Sequence, residues 1–110
     1  MGKLTSLTTL YLESCSGLTA LPAEVGKLTS LTTLNLGGRF GGCSGLTALP
    51  AEVGGLASLT GLNLRGCSGL TALPAEVGRL ASLTTLNLLG CSGLNTLPDL
   101  SALKGLVVRR

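Results

Sequence analysis

The chain has 110 residues, of which 45% are hydrophobic, 12% charged and 2% aromatic, so it can bury one core but not a core of stacked rings. Its net charge of +3 comes from eight basic and five acidic residues scattered along the sequence, which leaves no basic stripe to follow nucleic-acid phosphates. Thr, Ser and Gly interrupt every apolar stretch before it approaches the ~20 residues of a membrane span, and no signal peptide is visible. We therefore expect one domain with no nucleic-acid partner and no membrane span.

One repeated unit accounts for nearly the whole sequence. Its copies are residues 4–27, 28–55, 56–79 and 80–102, and a partial fifth copy covers 103–110. The apolar residues of the third copy are spaced by both two and three, which neither a single helix nor a single strand can place on one face. They are Leu56, Leu59, Leu62, Leu64, Cys67, Leu70, Leu73 and Val77. One copy cannot bury these side chains alone, so the copies are expected to stack as a solenoid that makes residues 1–110 a single domain.

The unit must change conformation along its length. Alternation at residues 62–64 favours a short strand, with Asn63 pointing away from both leucines. Gly66 and Gly69 then provide turn chemistry. Pro74 sets the backbone for one tight helical turn over residues 74–77, which Gly78 can end. The predicted order within each copy is strand, turn and short helix.

The copies differ from one another at a few places. The repeat begins directly at Leu4 without the polar cap common in solenoids, which suggests a fragment, an engineered array or an end that meets a partner. The first copy carries the only tyrosine, Tyr11, and an acid, Glu13. The second holds a four-residue insertion within residues 37–42, where flanking glycines predict a mobile loop around Arg39 and Phe40.

The end of the sequence departs from the repeat. In the fourth copy LPDLSAL replaces LPAEVGRL, and a fifth begins at Leu103 but stops at residues 107–110, VVRR. We expect the two terminal arginines to discourage another chain from pairing with the last edge strand.

The four cysteines, one per copy, predict a ladder of buried thiols. Cys15, Cys43, Cys67 and Cys91 occupy equivalent positions, so they should stack at about the spacing of neighbouring strands. Zinc sites need converging ligands, usually CxxC pairs, and the sequence has no such pair and no histidine. Disulfides between neighbours are possible on distance but strained, because stacked side chains point the same way. We expect small apolar fillers with a weak hydrogen bond to backbone, no metal or other cofactor, and a reducing, cytoplasmic setting.

The pattern LxxLxxLxLxxCxxLxxLP resembles a leucine-rich repeat of the short, proline-containing kind. In the second copy it runs, across the insertion, through Leu28, Leu31, Leu34, Leu36, Cys43, Leu46, Leu49 and Pro50. Similar units occur in intracellular plant, algal and protist proteins, including plant disease-resistance receptors. The resemblance covers residues 4–106 and implies an α/β, right-handed solenoid, with a parallel sheet on its concave face and short helical or 3₁₀ turns on its convex face.

The resemblance also implies a binding site, since family members commonly bind protein or peptide on the concave face. The positions that would face a partner, together with the 37–42 loop, give the candidate site Tyr11, Glu13, Asn35, Arg39, Phe40, Asn63, Arg65 and Asn87. Two interpretations of the asparagine column remain open. The amides can bond a partner, or their recurrence reflects copying of the unit alone.

Catalysis is not expected. The sequence has no histidine to activate a serine or cysteine, and no GxxxxGK[ST] phosphate loop. The predicted function is a non-catalytic scaffold for a protein or peptide partner. The alternative is a structural or self-assembling array, engineered or excised, that forms a homo-oligomer through uncapped end repeats.

Overall fold

The predicted α/β solenoid is confirmed by a computed structural model that describes residues 7–12, 17–38 and 42–110. Five short strands form one parallel sheet in chain order. They are β1 (Thr9–Tyr11), β2 (Thr33–Asn35), β3 (Gly61–Asn63), β4 (Thr85–Asn87) and β5 (Val107–Arg109). Each strand pairs with the next copy's strand, and the pairings from β1 to β4 have the same residue offsets as the repeat itself.

Three 3₁₀ helices connect the strands: η1 (Ala23–Lys27), η2 (Ala51–Gly55) and η3 (Ala75–Arg79). Among the described residues, the backbones of neighbouring helices lie close together and so do those of neighbouring strands, but no helix backbone lies close to a strand. The sheet and the helices therefore occupy opposite faces, with the leucine core between them. Each of these helices has five residues, too short to cross a bilayer, and none is a membrane span.

The helix bounds differ slightly from those predicted at residues 74–77. Pro74 has ψ 149°, which is extended, so it precedes η3 as the N-cap residue. At the other end the Leu80 N–H donates to the Val77 carbonyl, which keeps Gly78 and Arg79 inside the helix. Proline thus fixes the entry to the helix, and glycine does not end it.

The connection from β4 to β5 contains no helix within the fully described stretch 86–108. Its sequence LPDLSAL lacks the AEVG segment that forms the other three helices. Instead the Ser101 backbone N–H donates to Asp99 Oδ1 at 2.9 Å, a local turn that asparagine and aspartate commonly make.

The core is built from leucine, valine and cysteine. Every apolar position predicted from the third copy is buried, including Leu62, at 1% exposure, and Leu73, at 7%. No polar or charged side chain is buried among the described residues. The buried leucine, valine and cysteine side chains of the described copies form one continuous core, as the solenoid interpretation requires.

Polar side chains join the copies to one another. The Sγ atoms of Cys43, Cys67 and Cys91 donate to leucine carbonyls in the preceding copy, at 3.0, 3.5 and 3.0 Å. These three confirm the predicted thiol ladder, whereas Cys15 lies outside the described residues. A second ladder, not predicted, is made by threonine hydroxyls, such as Thr60 Oγ1, which donates to the Thr32 carbonyl at 3.1 Å.

Glycine shapes the turns that follow β3 and β4. Gly66 and Gly90 have φ of 77° and 76°, in the left-handed region that a side chain makes costly. The glycines that flank the insertion pack against the third copy. Gly37 and Gly42 are buried and hydrogen-bonded, Gly37 to Asn35 Oδ1 and Gly42 to the Gly66 carbonyl. Both lie too close to the third copy to carry a side chain.

Candidate functional site

One row of side chains crosses the exposed face of the sheet at right angles to the strands. The register places Tyr11, Asn35, Asn63, Asn87 and Arg109 side by side on β1 to β5. We call these five residues the cross-strand row. Neighbouring strands lie about 4.8 Å apart, so the row is about 19 Å long. It combines a phenol at one end, three amides in the middle and a guanidinium at the other end.

The row lines a shallow open groove with a volume of about 290 Å³. The other lining residues come from the start or middle of the strands: Thr33, Gly61, Leu62 and Thr85. Tyr11 is 63% exposed, and Gly61 contributes no side chain at the centre of the sheet. The groove thus has a polar floor that is open to solvent along its length.

The three asparagines have a structural role that the sequence left open. Asn35 Oδ1 accepts from the Gly37 N–H at 3.0 Å, Asn63 Oδ1 from Arg65 at 2.9 Å, and Asn87 Oδ1 from Leu89 at 3.0 Å. Each bond closes the turn that ends a strand, and a backbone N–H donor identifies the bonded atom as oxygen. The oxygens are therefore used by the fold.

The amide nitrogens of Asn63 and Asn87 are not used by these turns. Among the described residues, no acceptor is hydrogen-bonded to Nδ2 of Asn63 or Asn87. Each amide nitrogen carries two N–H donors. The middle of the row can therefore donate hydrogen bonds to the carbonyl or carboxylate oxygens of a ligand.

Of the remaining predicted site residues, Arg65 is described by the structure, and it does not join the row. Arg65 is exposed but lies in the turn after β3, and it does not line the groove. The reason is the turn that Asn63 closes after β3. This turn redirects the backbone before residue 65, which would be the next outward position of a longer strand. Glu13, Arg39 and Phe40 lie outside the described residues, so the candidate role of the 37–42 loop remains a prediction.

Arg109 is a charged lining residue that the sequence analysis did not assign to the site. The sequence predicted that the terminal arginines only discourage edge pairing, whereas residues 107–109 form β5 and place Arg109 in register with Asn87. The available signal was the short sequence VVR directly after Leu106, a leucine of the repeat. It was weak because no other copy carries these residues.

The described acidic side chains lie away from the groove. Glu24, Glu52 and Glu76 are on η1 to η3, and Asp99 is in the connection from β4 to β5. None of the described groove-lining residues is acidic, and one of them, Arg109, is basic. The fold thus separates the described carboxylates from the sheet face.

A second groove of about 540 Å³ lies on the opposite face, between η1 and η2. Its lining includes Glu24, Lys27 and Glu52, all of which are exposed to solvent. Carboxylates near the start of a helix are mildly favourable without any ligand. This larger groove therefore gives no sign of a built site.

The thiols are poor candidates for chemistry. Burial raises the pKa of Cys67 from 9.0 to about 11, and burial also raises the pKa of Cys91. The thiol form is inert as a nucleophile and as a metal ligand. Within residues 7–12, 17–38 and 42–110, no three His, Cys, Asp or Glu side chains come together as metal ligands would.

Comparisons with known proteins agree with this architecture. The family model for a leucine-rich repeat region matches residues 1–109. The leucine-rich repeat domain of the type III effector XopL is 32% identical with a TM-score of 0.83, and the match covers 99% of this chain and 37% of that one. A leucine-rich repeat protein of Leptospira interrogans is 27% identical with a TM-score of 0.56, over 97% and 32% of the two chains. No curated protein sequence matches.

These similarities cover nearly all of this chain but about a third of each solved structure. Domains of this kind are commonly used for protein interaction and are generally non-catalytic. The leucine positions, the five-stranded parallel sheet and the family model all point to the same conclusion. The chain belongs to the leucine-rich repeat family.

Proposed function

We propose that this chain is a non-catalytic recognition module that binds an extended protein or peptide segment along the cross-strand row. The observation that supports this most directly is the row itself, which brings five polar or aromatic side chains from five strands into one groove. Leucine-rich repeat domains are commonly used for protein interaction, which favours the same surface.

The chemistry of the groove suits a peptide better than a reaction. Its amide donors match the backbone carbonyls of an extended chain, and Tyr11 offers a large, rigid contact surface of the kind enriched in interfaces. The sequence has no histidine, and the pKa values of the Cys67 and Cys91 thiols are raised by burial. The same reduced thiols, each bonded to a backbone carbonyl, favour a cytoplasmic location.

The test separates the two roles of Asn63. Asn63→Asp keeps the oxygen that accepts from Arg65 but replaces the amide donors with a carboxylate, whereas Asn63→Ala removes both. We expect peptides selected from a displayed library of random ten-residue sequences to lose at least about fivefold in affinity for either variant. Only Asn63→Ala should also lower the free energy of unfolding, by about 1 kcal/mol.

Asn95→Asp is the matched control, because Asn95 is exposed and does not line the groove. It should leave affinity unchanged within about a factor of two. A library that yields no binder for the wild-type chain, or binders that are indifferent to both Asn63 variants, would contradict the proposed function.

A second candidate function is supported by apolar surface at the two ends of the described solenoid. Leu7, Leu10 and Leu12 are only partly buried, and Val107 and Val108 are 56% and 36% exposed. End-to-end association of copies would cover these side chains, at about 25 cal/mol per Å² of buried apolar area. Light scattering over a hundredfold concentration range tests it, and a constant mass of 11.0 kDa would exclude self-assembly.

A further inference from the structure

Building on the proposed function, we infer that the groove selects acidic peptides and fixes their direction, with an acidic side chain of the ligand at Arg109 and an apolar side chain at Tyr11. The inference rests on the unequal ends of the cross-strand row. Arg109 on β5 and Tyr11 on β1 both line the groove, and three asparagines stand between them.

Charge supports an acidic ligand at the β5 end. Arg109 is exposed and lines the groove, and none of the described residues that line it is acidic. No salt bridge involves Arg109 among the described side chains, whose carboxylates lie on the helices or in the connection from β4 to β5. A guanidinium presents several N–H donors in a planar fork that matches a carboxylate. The end of the groove is therefore complementary to Asp or Glu.

The carboxylate belongs to a side chain of the ligand rather than to its C-terminus. Capture of a chain terminus usually employs a nest of successive backbone N–H groups. The backbone N–H groups of Gly37, Arg65 and Leu89, which follow the row, already donate to the three asparagine oxygens. A guanidinium without such a nest suits an acidic side chain within a peptide.

The β1 end has the opposite character. Tyr11 is 63% exposed, and its ring is the only aromatic surface among the groove-lining residues. A ring of this kind packs against an apolar or aromatic side chain of a ligand. The row is about 19 Å long, and an extended peptide advances about 3.3 Å per residue. The acidic and apolar side chains of the ligand should therefore be about six residues apart, an even separation that places both on the same face of the extended peptide.

The probe is a library of random ten-residue peptides with an acetylated N-terminus and an amidated C-terminus, so that side chains supply every carboxylate. Peptides enriched on the wild-type chain should contain Asp or Glu with an apolar residue about six positions away. Replacing that acid by its amide should lower affinity about three- to fivefold, as expected for an exposed ion pair. The same replacement should change nothing against Arg109→Gln.

Two further variants make the result specific. Arg109→Lys keeps the charge and should keep the preference for acid, although more weakly. Arg79→Gln removes one positive charge from η3 on the opposite face and should leave the preference intact. If Arg79→Gln and Arg109→Gln weaken acidic peptides equally, net charge rather than the groove is responsible, and the inference is overturned.

The remaining outcomes separate this inference from the proposed function. Two outcomes overturn the inference and leave the proposed function standing. In the first, the enriched peptides bind through Asn63 but contain no acidic residue. In the second, replacing their acid by its amide lowers affinity equally for the wild type and for Arg109→Gln. A preference for a free C-terminus over the amidated form also overturns it. If no peptide is enriched, both the inference and the proposed function fail.

Discussion

The close packing of the 3₁₀ helices gives the sharpest stability prediction. A Cβ atom at Gly26 in η1 would meet the carbonyl oxygen of Glu52 in η2, and it would lie 3.0 Å from the Glu52 Cβ and 3.1 Å from its carbonyl carbon. Two of these three atoms belong to the backbone, so no side-chain rotation relieves the clash. Overpacking of this kind costs about 1–3 kcal/mol, and the better helix propensity of alanine offsets about 1 kcal/mol.

We therefore expect Gly26→Ala to lower the free energy of unfolding by up to about 2 kcal/mol, which is a fall in Tm of up to about 10 °C for a domain of this size. Gly61→Ala is the matched control, because no other group lies within 4 Å of the position that a Cβ atom would take there. That change should raise the free energy of unfolding by about 0.5 kcal/mol, because alanine gives the unfolded chain less conformational entropy than glycine does. Thermal and urea unfolding followed by circular dichroism measure both variants. A Tm for Gly26→Ala at or above the wild-type value would refute the packing argument.

Three further predictions concern the core and the ladders. Burial raises the Cys67 pKa from 9.0 to about 11, so the folded protein holds the thiol proton more tightly than the unfolded chain does. The contribution of this thiol to the free energy of unfolding should be fully present below pH 9. It should fall by up to about 3 kcal/mol as the pH rises to 11. Cys67→Ala should show a smaller fall over that range, and equal falls in urea titrations would contradict the assignment. Leu62→Ala removes a side chain that is 1% exposed and should cost about 2–5 kcal/mol, unless the coils collapse into the cavity. Thr60→Val loses the bond to the Thr32 carbonyl at 3.1 Å and should cost at most about 1 kcal/mol by the same assay.

The site was predictable where the repeat is regular. Tyr11, Asn35, Asn63 and Asn87 follow from one rule, that outward positions of equivalent strands stack side by side. Arg65 shows the limit of that rule, because the Asn63 turn bends the chain before the next outward position. A bond from a side chain to the backbone two residues later leaves no trace in hydrophobic spacing.

Recurrence could not distinguish the two roles of the asparagines. Three identical residues at equivalent positions are expected whether they serve the fold, a ligand or both. The hydrogen bonds separate the roles by atom, since Oδ1 closes the turn and Nδ2 of Asn63 and Asn87 points to the partner side in the proposed mode. Atom-level roles depend on the conformation of one short turn, which the sequence does not specify uniquely.

The sequence by itself determined the solenoid and its core. Mixed two- and three-residue spacing permits no single helix or strand, and near-identical copies can bury their leucines only by stacking, so Leu56, Leu62 and Val77 had to be interior. Tertiary structure decided the rest. The register across five strands joined Arg109 to a row that begins at Tyr11, near the other end of the chain, and close contact between coils required glycine at residue 26. Both depend on distances between copies, which no pattern within one copy contains.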